Sequence, residues 1–338
     1  MTEVISVKDL VMIYPDGTKA VDGVSFHVDD GEFFGFLGPN GAGKSTTIKI
    51  LTTLLHKTSG EAKVAGYDVE KGAREIRKIV GLQAQETVID WDLTGKENLI
   101  LEGNLHQMRG KGLEERVKEL LKIVGLEEVA DKRAAFYSGG MKKRLDLASV
   151  LVHRPKILFL DEPTTGLDPQ SRAGMWDYLR QLNRDEKITI FLTTQYMEEA
   201  DRLCSRLSIV DLGKIVAQGT PSDLKGEIGA DAINLTFENM NGKDSNGLKE
   251  EGKKILGGLR GVTDIVNSDM GLTVYAKNGA YLIPDIVRAF DEAQIRVASL
   301  NLSTPTLDDV FLKHTGKRIR VEELSKQYGG GMFGRRRR

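Results

Sequence analysis

The spacing of apolar residues changes character several times along the chain. Over the first 30 or so residues, "VISVKDLVMIY" and "AVDGVSFHV" carry β-branched and aromatic residues on either side of the turn "PDG", which predicts a β-rich start. "EFFGFLG" lacks polar breaks and predicts a buried strand. "PNGAGKSTTIKILTTLL" predicts a Gly-rich loop that opens into a helix. From Leu93 to about Ser149 apolar positions recur every three or four residues, most clearly in "LEERVKELLKIVGL", and predict helices. "KILFLDEP" and "ITIFLTT" predict two more buried strands, with a helix in "GMWDYLRQLNRD" between them. Apolar strands alternating with helices imply an α/β fold, a mostly parallel sheet covered on both faces.

After "GKIVAQGTPSDLK" the pattern shifts. "AINLTF" predicts a strand and "GLKEEGKKILGGL" a helix. "VTDIVNS" and "GLTVYAKN" predict a hairpin, "IPDIVRAFDEAQ" a helix and "IRVASLNL" a strand. The order β-α-β-β-α-β is that of a ferredoxin-like unit. The expected organisation is a main domain over residues 1–221 with a helical subdomain at about 90–150, then a small α+β domain over 222–316. The tail over 317–338, "YGGGMFGRRRR" at its end, has no apolar period and is expected to be disordered.

Composition narrows the picture. With 338 residues and 40% hydrophobic content the chain can build two cores. A formal net charge of -1 gives no global field for nucleic acid, and no such partner is expected. Cys204 is the one cysteine, so no intramolecular disulfide forms and a reducing compartment is implied. "MTEVISVKDL" lacks the apolar core of a signal peptide, and no stretch approaches the roughly 20 apolar residues of a membrane span. The expected location is cytoplasmic, with any membrane role coming through a partner.

Three segments carry chemistry. "GPNGAGKST", Gly38 to Thr46, fits G-x-x-x-x-G-K-[ST] in the required strand–loop–helix context. Gly38, Gly41 and Gly43, with Pro39, Asn40 and Ala42 between them, let backbone N–H groups converge on phosphate oxygens. The helix N-terminus behind them adds positive potential. Lys44 is expected to neutralise β- and γ-phosphate charge, Ser45 to offer its hydroxyl to Mg²⁺, and Thr46 to complete the cradle. In "ILFLDEP", Asp161 emerges at a strand end where a carboxylate reaches Mg²⁺, and Glu162 is a candidate general base for an attacking water. In "YSGGMKKRLDLA", Ser138, Gly139 and Gly140 precede a basic helix, a second anion-binding geometry.

That last segment resembles the signature motif of ABC-type ATPases, P-loop NTPases in which the signature of one subunit caps the ATP held by the phosphate loop of the other. The resemblance covers residues 1 to about 220 and implies an ATPase with a β-rich N-terminal part and a helical insert, binding ATP and Mg²⁺ in a homodimer. It also implies roles for single residues. Tyr14 resembles the aromatic that stacks on adenine. Gln85 in "VGLQAQE" resembles the glutamine that touches Mg²⁺ and the attacking water, with Gln83 as a nearby competitor. Asp168 in "TGLD" resembles an aspartate that crosses the dimer interface, and it also suits a turn before Pro169. Gln195 in "FLTTQYMEEAD" stands where most members have a histidine contacting the γ-phosphate. Its amide donates hydrogen bonds but carries no charge, which leaves Glu162 as the base.

"YSGGMKKRLDLA", "TTQYMEEAD" and "PTLDDVFLKHTG" together resemble the daunorubicin-resistance export type. This implies a separate membrane permease as partner, a position at the inner face of the membrane, and export of a drug, lipid or similar amphipath. A soluble ABC ATPase acting on ribosomes or nucleic acid is the alternative; one phosphate loop and no long heptad run fit it poorly. Trp91 suits either the core or the groove where a permease helix docks, and the terminal arginines suit solvent or anionic headgroups.

Overall fold

The computed structural model describes residues 2–228, 231–237, 245–268, 271–276, 279–303 and 305–316; the expected tail at 317–338 lies outside the described residues. The chain divides into two compact units between Gln218 and Gly219.

The first unit opens with β1 (Glu3–Ile13) and β2 (Lys19–Asp29), an antiparallel pair with alternating burial. Strand β3 (Phe33–Leu37) is buried at every position and leads through the phosphate loop into α1 (Lys44–Leu51). Strands β4 (Ser59–Val64) and β5 (Tyr67–Asp68) complete a sheet of order β2-β1-β4-β5. After α2 (Ala73–Ile79) and β6 (Val80–Gln83) comes the helical stretch: α3 (Gly95–Leu105), α4 (Lys111–Ile123) and α5 (Gly139–Val150). The chain then runs through β7 (Ile157–Asp161), α6 (Pro169–Glu186), β8 (Thr189–Thr194), α7 (Met197–Leu203), β9 (Arg206–Asp211) and β10 (Lys214–Gly219).

Strand order in the second sheet is β10-β9-β3-β8-β7-β6, parallel from β9 to β6. Strands β3, β7 and β8 are buried end to end, as an apolar strand covered on both faces must be. Phe26 of β2, Phe34 and Phe36 of β3, Phe159 of β7 and Phe191 of β8 bind the two sheets into one core, with neighbouring ring centroids 5.4–5.8 Å apart. Helix α6 begins at Pro169, five residues before the helical pattern predicts. Asp168 caps it by accepting from the Ser171 N–H at 3.0 Å, and proline is well suited to the first helical position.

The second unit holds α8 (Pro221–Ile228), β11 (Asp231–Phe237), α9 (Ser245–Gly257), β12 (Val262–Ser268), β13 (Gly271–Ala276), α10 (Gly279–Glu292), β14 (Val297–Ser303) and α11 (Leu307–Thr315). Its antiparallel sheet has the order β12-β13-β11-β14, the ferredoxin-like arrangement, with α8 and α11 added at the two ends. Leu235, Leu272, Val274, Ile286 and Phe290 centre its separate core. Among the described residues no helix is long and apolar enough to cross a membrane.

Candidate functional site

The phosphate loop is held from three sides. The Gly38 N–H donates to the Thr194 carbonyl at the end of β8 (3.1 Å), and the Gly213 N–H donates to the Ala42 carbonyl (3.2 Å). Gly43 caps α1 with φ of 94°, and a Cβ there would strike the Ala20 carbonyl; a Cβ on Gly38 would strike the Val210 carbonyl. Gly41 has φ of 81°. Backbone this close and this turned admits only glycine at positions 38 and 43. The cradle is therefore fixed by packing before any ligand contact.

Lys44 is 4% exposed and folds back over the loop. Its ammonium donates to the carbonyls of Gly38 (2.8 Å) and Pro39 (2.9 Å) and pairs with Glu162 Oε1 at 3.0 Å. Ser45 donates to Asp161 Oδ1 at 3.1 Å, and Thr193 donates to the same oxygen at 2.6 Å. The structure thus brings Lys44, Ser45, Asp161 and Glu162 into one cluster. Glu162 has φ of 50°, an uncommon conformation for a residue with a side chain. Its N–H is fixed on the Thr193 carbonyl at 3.1 Å, and Thr165 donates to its Oε2 at 3.3 Å. Backbone strain of this kind collects at functional sites.

Tyr14 follows β1 directly, and its hydroxyl lies 3.2 Å from the Thr46 hydroxyl. Gln195 follows β8, is 8% exposed, and its amide closes no hydrogen bond among the described residues. The residue before it anchors Gly38, so the amide is borne on the frame that holds the phosphate loop.

Gln85 stands apart from this cluster. Its side chain is exposed and makes no hydrogen bond to Ser45 or Asp161; its carbonyl accepts from Lys143 at 3.0 Å. Gln83 is buried and donates to Asp146 Oδ2 at 3.0 Å. Burial pushes the Asp146 carboxyl up, against lowering by Gln83, Val88 and Lys143. Burial pulls the Lys143 ammonium down, opposed by the nearby charges of Asp146 and Asp161.

The Ser138 hydroxyl accepts from the Met141 N–H at 3.3 Å and caps α5. Ser138 and Gly139 are exposed, and a Cβ on Gly139 would meet open space. A Cβ on Gly140 would lie 2.8 Å from the Ser171 hydroxyl of α6, so that glycine serves packing between α5 and α6. Asp168 is exposed, and its bonds to Ser171 hold its carboxyl below the ordinary value. No hydrogen bond joins Ser138, Gly139, Gly140 or Asp168 to the phosphate loop among the described residues. Trp91 is 56% exposed, with the Lys142 ammonium 4.3 Å from its ring centre, and is not core.

Sequence reasoning missed Thr193, Lys143 and Glu199. Parallel pairing sets Thr193 beside Asp161, a neighbour that neither strand's own sequence reveals.

The donor set fits a nucleotide with a hard cation: a glycine cradle at a helix start, an ammonium, and a hydroxyl hydrogen-bonded to a carboxylate. Comparisons with known proteins place the chain in a family. The ABC transporter family matches residues 21–165, and the C-terminal domain of DrrA1-3-like ATP-binding proteins matches residues 219–315. The daunorubicin resistance ATP-binding protein DrrA3 of Streptomyces coeruleorubidus is 42% identical over 314 residues, 91% of this chain and 94% of that protein. The Nod factor export ATP-binding protein I of Burkholderia pseudomallei is 40% identical over 305 residues, 90% of this chain and 94% of the relative. The dimeric post-hydrolysis structure of the ATP-binding cassette MJ0796, bound to ADP and Pi, covers 64% of this chain and 98% of its own, at 26% identity and a TM-score of 0.59.

Proposed function

The chain belongs to the ABC transporter family as the ATP-hydrolysing subunit of an exporter, and we propose that it works as half of an ATP-sandwiching homodimer seated on a separate membrane permease. The observation that carries this reading is the division of the anion-binding parts. Lys44, Ser45, Asp161 and Glu162 cluster at the phosphate loop, while Ser138 and Gly139 face outward at the start of α5. A second copy brings its signature to the first copy's ATP and completes each site.

The roles follow from the contacts. The loop N–H groups of residues 38–46 bind the phosphates of ATP. Lys44 exchanges Glu162 for phosphate oxygen, which frees the Glu162 carboxylate to take a proton from the attacking water. Asp161 and Ser45 would hold Mg²⁺, which would supply charge neutralisation on the phosphates. Gln85, exposed in the loop after β6, is the proposed further ligand of that set. Tyr14 stacks on the adenine, Gln195 donates to the γ-phosphate, and Asp168 faces the partner copy. The cargo is an amphipath of the drug or lipid class, as the names of the relatives suggest, and the permease holds the chain at the inner face of the membrane.

Steady-state ATP hydrolysis with and without Mg²⁺ tests the reading. The parent is expected to turn over only with Mg²⁺. Glu162→Gln is expected to bind ATP with parent affinity and hydrolyse it at least about 10²-fold more slowly, the contribution of a positioned general base. Parent turnover in Glu162→Gln would remove Glu162 from the role of base.

A further inference from the structure

Glu199 of α7 is fully buried and takes no part in the phosphate cluster. Its Oε1 accepts two hydrogen bonds from two other elements. The Thr164 hydroxyl donates at 2.8 Å and the Trp176 indole N–H at 2.9 Å. Thr164 is fully buried and lies two residues past Glu162, in the turn that holds Glu162 at positive φ. Trp176 is 3% exposed and sits in α6, the helix capped by Asp168. Glu199 itself is four residues beyond Gln195. Burial pushes its carboxyl up, against lowering by the hydroxyls of Thr194 and Thr164, the Trp176 N–H and the Arg172 charge. Its Oε2 is buried too and closes no well-formed hydrogen bond.

We infer that Glu199 is a positioning residue, tying the segments that carry Glu162, Gln195 and Asp168 into one rigid body. The inference rests on the roles proposed above for those three residues. Three physical points carry it. A buried donor left without an acceptor is costly, so Thr164 and Trp176 are both committed to this one oxygen. A polar network away from water is stronger than its exposed equivalent and fixes one arrangement. Glu162 keeps a strained backbone only because its surroundings hold it, and the bond from Thr164 to Glu199 is part of that hold. Without Glu199 the turn after β7 and the segment after β8 are free to move independently, and hydrolysis loses the alignment of base and γ-phosphate donor.

The test uses the full chain and separates kcat from KM for the parent, Glu199→Ala, Glu199→Gln and Thr164→Val, beside measured nucleotide affinity. Glu199→Ala is expected to lower kcat roughly tenfold to a hundredfold, the scale of a misplaced catalytic group. Its KM and ATP affinity are expected to stay within about threefold of the parent, because alignment rather than binding is lost. Glu199→Gln keeps the oxygen that accepts both bonds and is expected to restore most of the parent kcat. Thr164→Val preserves volume, removes one tie, and is expected to lower kcat in the same direction. A folded Glu199→Ala with parent kcat, or a Glu199→Gln as impaired as Glu199→Ala, would overturn the inference. Should Glu199→Ala fail to fold, Thr164→Val decides, and parent kcat there overturns it. A parent without ATPase activity would instead sink the proposed function, and a Glu162→Gln that turns over like the parent would remove Glu162 from the role of base.

Discussion

Gln195 follows a strand whose last carbonyl, that of Thr194, anchors the phosphate loop, so the amide is delivered by rigid backbone. In the role proposed for it, an amide there would position by donating a hydrogen bond, and it cannot relay a proton. Removing one donor from a preorganised catalytic site costs about 10²–10³ in rate. Gln195→Ala is expected to lose less than that, because in the proposed site Lys44 and the cation would hold the same phosphate, and Gln195→His is expected to keep a substantial part of the turnover. Rates of the three proteins across pH 6 to 9 give the answer; a parent-like Gln195→Ala would make the residue a bystander. At this scale the sequence shows what lies within one segment. Lys44, Ser45, Asp161 and Glu162 are legible because a short motif fixes each one's place on a strand end or loop. Thr193 and Glu199 are not, because their roles come from partners 32 and 35 residues away along the chain, in other elements.

Among the elements, the central strands were the easiest to read, since full burial on both faces leaves an unbroken apolar run in β3, β7 and β8. The start of α6 was harder. "PQSRA" has no apolar period, and only the cap at Asp168 and the proline after it mark the helix. Strand order was not legible, because it depends on which elements meet and not on their own patterns. The segment after α5 carries a pH-dependent element. His153 donates through Nε2 to the Val80 carbonyl at 3.0 Å, stacks on His106 at 3.9 Å between ring centres, and has a buried Nδ1 without a partner. Burial pulls its pKa down to about 4, with the His106 and Arg116 charges acting the same way against the Val80 bond. A histidine depressed in the folded state binds a proton more readily when unfolded. Its effect is therefore to weaken the fold as pH drops from the ordinary histidine value of 6.5 towards about 4. His153→Gln is expected to show a shallower loss of denaturation midpoint over that interval than the parent. Superimposable profiles would exclude His153 as the source.

On the scale of the molecule, the two units have separate cores, and every residue proposed to handle phosphate lies in the first. A chain ending at Gln218 is therefore expected to fold and to bind ATP with the affinity of the full chain, within about threefold for a binding site left intact. A folded truncation that has lost affinity would contradict the separation. In the proposed homodimer each copy supplies the opposing signature for the other's phosphate loop; within one chain Ser138 and Gly139 are exposed and form no hydrogen bond to Lys44 among the described residues. Light-scattering mass of Glu162→Gln, measured with and without Mg²⁺-ATP, tests this most directly. Blocking hydrolysis while sparing the phosphate loop is expected to trap a dimer in the presence of Mg²⁺-ATP and leave monomer in its absence. A Glu162→Gln protein that binds ATP tightly and stays monomeric would contradict the two-chain site.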